Sequence, residues 1–172
     1  MNMKTNVGTT YYYSNFITDE EKDIVRDWAL RNEICLTPNP TGPFRANQLF
    51  RLIPEKLKLL EEIKNRIIEI EELSDKWFEP YRGDVVSIQR NGGKVPEHID
   101  HNPIDQTLYS RRYNVFISLP ENGGLPVYDG EVLNVVEKCL LRVESGLVKH
   151  STTIIEGEKP RIILSYGFAI KK

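Results

Sequence analysis

The chain has 172 residues, 40% of them hydrophobic and 28% charged, with a formal net charge of −2. That is the make-up of an ordinary soluble globular protein with a substantial core, and the lack of a basic excess leaves no electrostatic footprint for nucleic acid. No apolar run reaches the length of a membrane span, the polar start Met1-Asn2-Met3-Lys4 does not read as a signal peptide, and Cys35 and Cys139 read as free thiols of a reducing, cytoplasmic compartment.

In chain order, the run from Tyr11 through Tyr12 and Tyr13 to Phe16 and Ile17 has strand-forming character and predicts a first strand at a sheet edge. Thr18 and Glu21 stand at capping-box spacing, so a helix should start at Asp19 and end near Arg31-Asn32, with Ile24, Val25, Trp28 and Ala29 on its apolar face. From Thr37 to Pro43 three prolines argue against regular structure. The segment reads as a surface loop, with a lid over an active site as the sharper alternative. Pro54 suits the first position of a second helix, whose stripe Leu60, Ile63, Ile67, Ile70 predicts a face packed on a sheet. Trp77, Phe78 and Tyr81, punctuated by Pro80 and Gly83, should close one end of the core.

After Gly83 the hydrophobic period changes from helical to alternating. Strands are expected at Val85–Arg90, Arg112–Leu119, Leu125–Tyr128, Val132–Val136, Cys139–Val143, Leu147–Ser151 and Arg161–Ile170. Asn122-Gly123-Gly124, Ser145-Gly146 and Glu156-Gly157 mark turns, and Asp129-Gly130 is a hairpin signal. Many short strands with regular turns predict a sandwich or barrel. With no linker in view, residues 1–172 read as a single domain: a helical support region over 1–83 and a β core over 84–172.

The chemistry is concentrated between Gly92 and Asp100, together with His150. On extended backbone, residues two apart point to the same side, so His98 and Asp100 would face one point. The chain has only three histidines, and His150 is the one distant candidate to join them. His101, three after His98, falls on the opposite side and reads as a rim or surface residue. Two imidazoles and one carboxylate on one face of a metal leave coordination positions open, the mark of a non-haem Fe(II) oxygenase.

The strand Val85–Arg90, Gly92, His98-x-Asp100, the distal His150, and Arg161 eleven positions further on together resemble the 2-oxoglutarate/Fe(II)-dependent dioxygenases, particularly their prolyl-hydroxylase-like members, over residues 84–170. The resemblance implies a mainly β fold with N-terminal helices, a double-stranded β-helix (a cupin-like jelly roll) whose open mouth holds the metal. It implies His98, Asp100 and His150 as iron ligands, Fe(II) with 2-oxoglutarate and O2 as cosubstrates, and ascorbate as a candidate additional cofactor. The activity implied is hydroxylation of a C–H bond in a protein side chain, an amino acid or a small metabolite, with release of succinate and CO2.

The distal carboxylate of 2-oxoglutarate needs a fixed cation. Arg161 suits it through its planar fork, with Arg112, preceded by Arg111, as the other candidate and Gln89 and Asn114 as hydrogen-bonding neighbours. Prolyl hydroxylases usually carry Lys where Arg161 stands and Tyr where Gln89 stands, which leaves the substrate unspecified. The loop from Asn102 to Ser110 should border it.

Two other readings compete. One is a cupin-like metal protein, an isomerase, sensor or binding module without 2-oxoglutarate turnover, which has no need for a buried Arg161. The other is a nucleic-acid demethylase of the same superfamily, disfavoured because its second arginine would stand at Gly167. The expected partner is a small-molecule or peptide substrate, with no nucleic acid and no membrane.

Overall fold

The computed structural model describes residues 4–7, 10–73, 83–101, 103 and 105–171. Trp77, Phe78, Pro80 and Tyr81, and Asn102 at the start of the expected substrate loop, lie outside the described residues. The N-terminal region holds β1 (Lys4–Val7), β2 (Thr10–Tyr13), α1 (Asp19–Arg31), β3 (Thr37–Pro38), β4 (Arg45–Leu49) and α2 (Lys58–Ile70). There follow β5 (Val85–Gln89), β6 (Leu108–Ser118), β7 (Asn122–Gly123), β8 (Pro126–Tyr128) and β9 (Glu131–Val132). The chain ends with β10 (Leu140–Val143), β11 (His150–Thr152), β12 (Ile155–Glu156) and β13 (Arg161–Lys171).

Helix α1 begins where the sequence places it. Thr18 Oγ1 accepts from the Glu21 amide (3.1 Å) and Glu21 Oε2 from the Thr18 amide (2.8 Å), so each side chain satisfies a donor the helix leaves orphaned. Val25, Trp28 and Ala29 are buried, whereas Ile24 is 43% exposed. Helix α2 starts at Lys58, not at Pro54. Trp28 Nε1 donates to the Glu55 carbonyl (2.9 Å), and Arg31 and Asn32 donate to the Glu55 carboxylate (2.8 Å each). These bonds tie residue 55 to α1 and delay the helix by a turn. Leu60, Ile63 and Ile67 of the predicted stripe are buried, and Ile70 lies at its margin.

The strands form an eight-stranded antiparallel sheet in the order β1-β2-β10-β6-β13-β5-β4-β3, a three-stranded sheet β11-β8-β9, and a pair β12-β7. The mainly β, two-helix jelly roll expected from the resemblance is the observed fold. The N-terminal region adds four strands to the main sheet, more than the one expected. Two of them lie in the proline-rich stretch and beside it: Thr37 and Pro38 pair with Asn47 and Ala46. Pro38 is tolerated there because β3 ends the sheet, where a missing amide leaves no ladder bond broken.

The main sheet has two faces of different character. On β13, Ile162, Leu164, Tyr166 and Phe168 pack with Trp28 of α1 and Ile63 of α2 in one apolar core. The alternate residues Arg161, Ile163 and Ser165 face a cavity toward the small sheets. Phe116, Tyr128, Leu141, Val143 and Ile163 form a second core between the sheets. The hairpin β8–β9 turns at Asp129 and Gly130, both at positive φ (48° and 84°), the backbone of the turn that Asp-Gly predicts. At Gly123 a Cβ would lie 1.7 Å from the Ile154 carbonyl, so only glycine fits that approach.

Candidate metal centre and cavity

Between the main sheet and the small sheets lies a cavity of about 830 Å3. His98 is not in a continuous strand. It forms a single antiparallel bridge with His150 through two reciprocal backbone bonds, 3.0 and 2.9 Å long. Asp100 is brought beside them by its own amide, which donates to the Ser145 carbonyl (2.8 Å). The three side chains therefore converge, and one ligand atom from each lies within 4.8 Å of the others. The nearest approaches are His98 Nε2 to Asp100 Oδ1 at 3.4 Å and His150 Nε2 to the same oxygen at 4.0 Å.

The backbone also selects the tautomers. His98 Nδ1 is 2.8 Å from the Pro96 carbonyl and His150 Nδ1 is 3.0 Å from the Val148 carbonyl. A carbonyl oxygen only accepts, so in each ring Nδ1 carries a proton and Nε2 is the nitrogen turned toward Asp100, free to act as a ligand when the ring is neutral. Two imidazole lone pairs and one carboxylate on one side suit a divalent metal of the non-haem iron type. Arg112 Nε lies 3.5 Å from Asp100 Oδ2 while another of its nitrogens donates to the Gly83 carbonyl (2.9 Å). Arg112 thus sits mid-strand against Asp100, not at a strand opening as the sequence suggested. Arg111 turns to the other face and bonds Glu144 (2.9 Å).

Arg161 is 3% exposed. One of its terminal nitrogens donates to Gln89 Oε1 (2.7 Å), and its guanidinium lies 5.3 Å from the Phe116 ring centre. Burial, aided by the charge of Arg45, lowers its pKa to about 10, which still leaves a cation at neutral pH. Arg161 Nε and Gln89 Nε2 are buried donors without a hydrogen-bond partner. Buried donors of this kind demand an acceptor, and Arg161 lines the cavity, so a carboxylate entering there would supply oxygens to its guanidinium.

Asn114 lines the same cavity and bonds the Tyr128 side chain. Burial, with the Asp100 carboxylate adding to it, raises the Tyr128 phenol well above its usual range, so it is a neutral donor. Tyr128 stands directly opposite His150 in the β8–β11 pair. Sequence reasoning missed it, although its place just before Asp129-Gly130 fixed it at a hairpin mouth. His101 is exposed at the cavity margin, as expected for a rim residue. Arg45, on β4, is a second cavity residue that the sequence did not single out.

No family model matches the chain, and no curated protein matches it. Solved structures do. The chain is similar to a Pseudomonas putida prolyl-4-hydroxylase (15% identity, 95% of this chain and 92% of that one, TM-score 0.65). It is also similar to the viral collagen prolyl hydroxylase vCPH of Paramecium Bursaria Chlorella virus-1, solved with 2OG (13%, 95% and 97%, TM-score 0.70). A third is HygX of Streptomyces hygroscopicus, solved with nickel and 2-oxoglutarate bound (10%, 92% and 82%, TM-score 0.70). The fold is therefore the double-stranded β-helix of these oxygenases, and the resemblance read from His98-x-Asp100, His150 and Arg161 holds at the level of the fold. None of the helices among the described residues is long and apolar enough to cross a membrane.

Proposed function

We propose that the protein is a 2-oxoglutarate- and Fe(II)-dependent oxygenase that hydroxylates a C–H bond of an amino-acid side chain, a free amino acid or a small metabolite. The observation that carries this reading is one shared cavity lined both by the convergent His98, Asp100 and His150 and by Arg161, whose buried Nε has no acceptor. HygX, of the same fold, holds nickel and 2-oxoglutarate, which supports assigning the same pair of ligands here.

In this reading His98 Nε2, His150 Nε2 and an Asp100 oxygen hold the metal, and the Pro96 and Val148 carbonyls keep the two rings oriented. Arg112 holds the other Asp100 oxygen and fixes the carboxylate's plane. Arg161 would pair with the distal carboxylate of 2-oxoglutarate, held in place by its bond to Gln89 Oε1. Tyr128 of β8 and Asn114 of β6, bonded to each other in the cavity lining, would offer hydrogen bonds to the cosubstrate. When bound, iron and 2-oxoglutarate supply the oxidation: O2 and 2-oxoglutarate become succinate and CO2, and one oxygen atom enters the substrate's C–H bond. The free thiols Cys35 and Cys139 fit a reducing, cytoplasmic location.

The test is succinate release. Protein with Fe(II), 2-oxoglutarate and O2 should form succinate slowly alone and faster with a substrate from a panel of peptides and amino acids, with 18O from 18O2 in the product. N-oxalylglycine, which chelates metal in the place of 2-oxoglutarate, should inhibit. Tight binding of metal and 2-oxoglutarate with no succinate under any condition would favour a sensor or binding module instead.

A further inference from the structure

The segment that carries His98 meets β11 with one residue too many. His98 and His150 exchange two backbone bonds (3.0 and 2.9 Å). In a regular antiparallel ladder the next bonded pair lies two residues along each strand, which would set Pro96 against Thr152. Instead the Thr152 amide donates to the Val95 carbonyl (3.1 Å). Three steps along one segment therefore match two along the other. That is the arithmetic of a β-bulge, a device that re-aims a side chain beside a site.

The slip has a chemical result. Pro96 has no amide to give to a ladder, and in register its carbonyl would face the Thr152 amide. Out of register that carbonyl lies 2.8 Å from His98 Nδ1 and accepts the ring's proton. Thr152 closes the slip a second time, because its hydroxyl accepts from the Val95 amide (2.8 Å). Both backbone groups of Val95 thus end on one residue. Further along, Gly92 and Gly93 bond Ile155 (2.8 and 2.9 Å), so the displaced segment stays fastened on both sides of the slip.

We propose that Thr152 is a positioning residue for the metal centre. By gripping both backbone groups of Val95 it fixes the slip that delivers the Pro96 carbonyl to His98 Nδ1, and so holds the ring with Nε2 in its ligating orientation. This rests on the reading of His98, Asp100 and His150 as metal ligands. Thr152 acts through Val95, Pro96 and His98 in turn. The next residue is a built-in control. Thr153 grips Leu125 in the same manner, amide to carbonyl (2.9 Å) and Leu125 amide to hydroxyl (3.0 Å), but that grip holds the approach to β8 and no ligand-bearing segment.

The experiment compares the two threonines. Mn(II) affinity is measured by equilibrium dialysis and stability by urea unfolding. Thr152→Val should weaken Mn(II) about tenfold, the lower end of what losing a partner of a metal-bound histidine costs. Thr152→Ser, which keeps the hydroxyl, should bind Mn(II) nearly as the wild type does. Thr153→Val should lose comparable resistance to urea and keep wild-type affinity. In the Zn(II)-loaded wild type, NMR should show the His98 Nδ1 proton protected from exchange with water. Thr152→Val should speed the exchange of that proton and leave the His150 ring proton unchanged. Undiminished affinity in a folded Thr152→Val variant, an equal loss in Thr153→Val, or a Thr152→Ser variant as weak as Thr152→Val would overturn the proposal. If Thr152→Val does not fold, an unprotected His98 ring proton in the wild type would overturn it. Failure of the wild-type protein to bind Mn(II) at all would instead overturn the metal-centre reading beneath it.

Discussion

Replacing Arg161 with Ala tests the proposed cosubstrate site at its most demanding point. The guanidinium is 3% exposed, has one bond to Gln89 Oε1, and keeps its Nε without an acceptor. A distal carboxylate entering beside it would be desolvated and have no water to replace the lost cation. Truncating one member of such a pair costs about 2–5 kcal/mol, or about 30- to 4,000-fold in affinity. Folding should be affected far less. Removing a buried charge relieves its desolvation, which offsets the roughly 1–3 kcal/mol of leaving Gln89 Oε1 unpaired. Anaerobic titration of the Mn(II) protein with 2-oxoglutarate, alongside a urea melt, reads both quantities. Arg161→Lys should fall between wild type and Ala, because an ammonium keeps the charge but not the fork. Wild-type affinity in a folded Ala variant would refute the assignment and turn attention to Arg112.

Other expectations follow from the same geometry. His150→Ala should abolish tight Fe(II) or Mn(II) binding, measured by equilibrium dialysis, and undiminished affinity would remove the three-ligand centre; His98→Ala and Asp100→Ala should behave alike. Glu21 is held below the usual carboxylate range by its hydrogen bonds to Arg66. Its stabilisation is therefore complete above pH 4.5 and is lost as pH falls through the lower folded value. Arg66→Ala should flatten the dependence of the melting temperature on pH below that point, and an unchanged slope would deny the pair its role. Ile63 is fully buried between α2 and the main sheet, so Ile63→Ala should cost about 2–5 kcal/mol. A loss below 1 kcal/mol in urea unfolding, small against that range, would show that the helix packs less closely than described.

Where the sequence was informative, local physics acted alone. The Thr18–Glu21 box needs only its own four residues, and the Asp129-Gly130 turn only its two positive φ angles. His98 and Asp100 were legible by spacing, although the backbone bonds to His150 and Ser145, not a continuous strand, bring them together. What was hidden depended on distant partners. Pro54 looked like a helix start until Trp28, Arg31 and Asn32 captured Glu55. The stretch Thr37–Pro43 is a loop from Asn39 onward, as it looked, but its prolines conceal that Thr37 and Pro38 pair with β4. Arg45 and Tyr128 carried no motif, and only strand pairing puts them opposite Gln89 and His150.

The strand order carries a consequence for dissecting the protein. Residues before Val85 supply β1 and β2 on one flank of the main sheet and β4 and β3 on the other. A fragment beginning at Val85 would retain all three histidines and Arg161, yet both β5 and β10 would display unpaired backbone along a full side. The sequence of β5, Val-Val-Ser-Ile-Gln, is rich in β-branched residues and has no charge. Such a strand recruits another chain when it is bared. The fragment that carries the candidate metal ligands would therefore self-associate, and insolubility on truncation would report two missing guards of the sheet, with those ligands all still in the sequence.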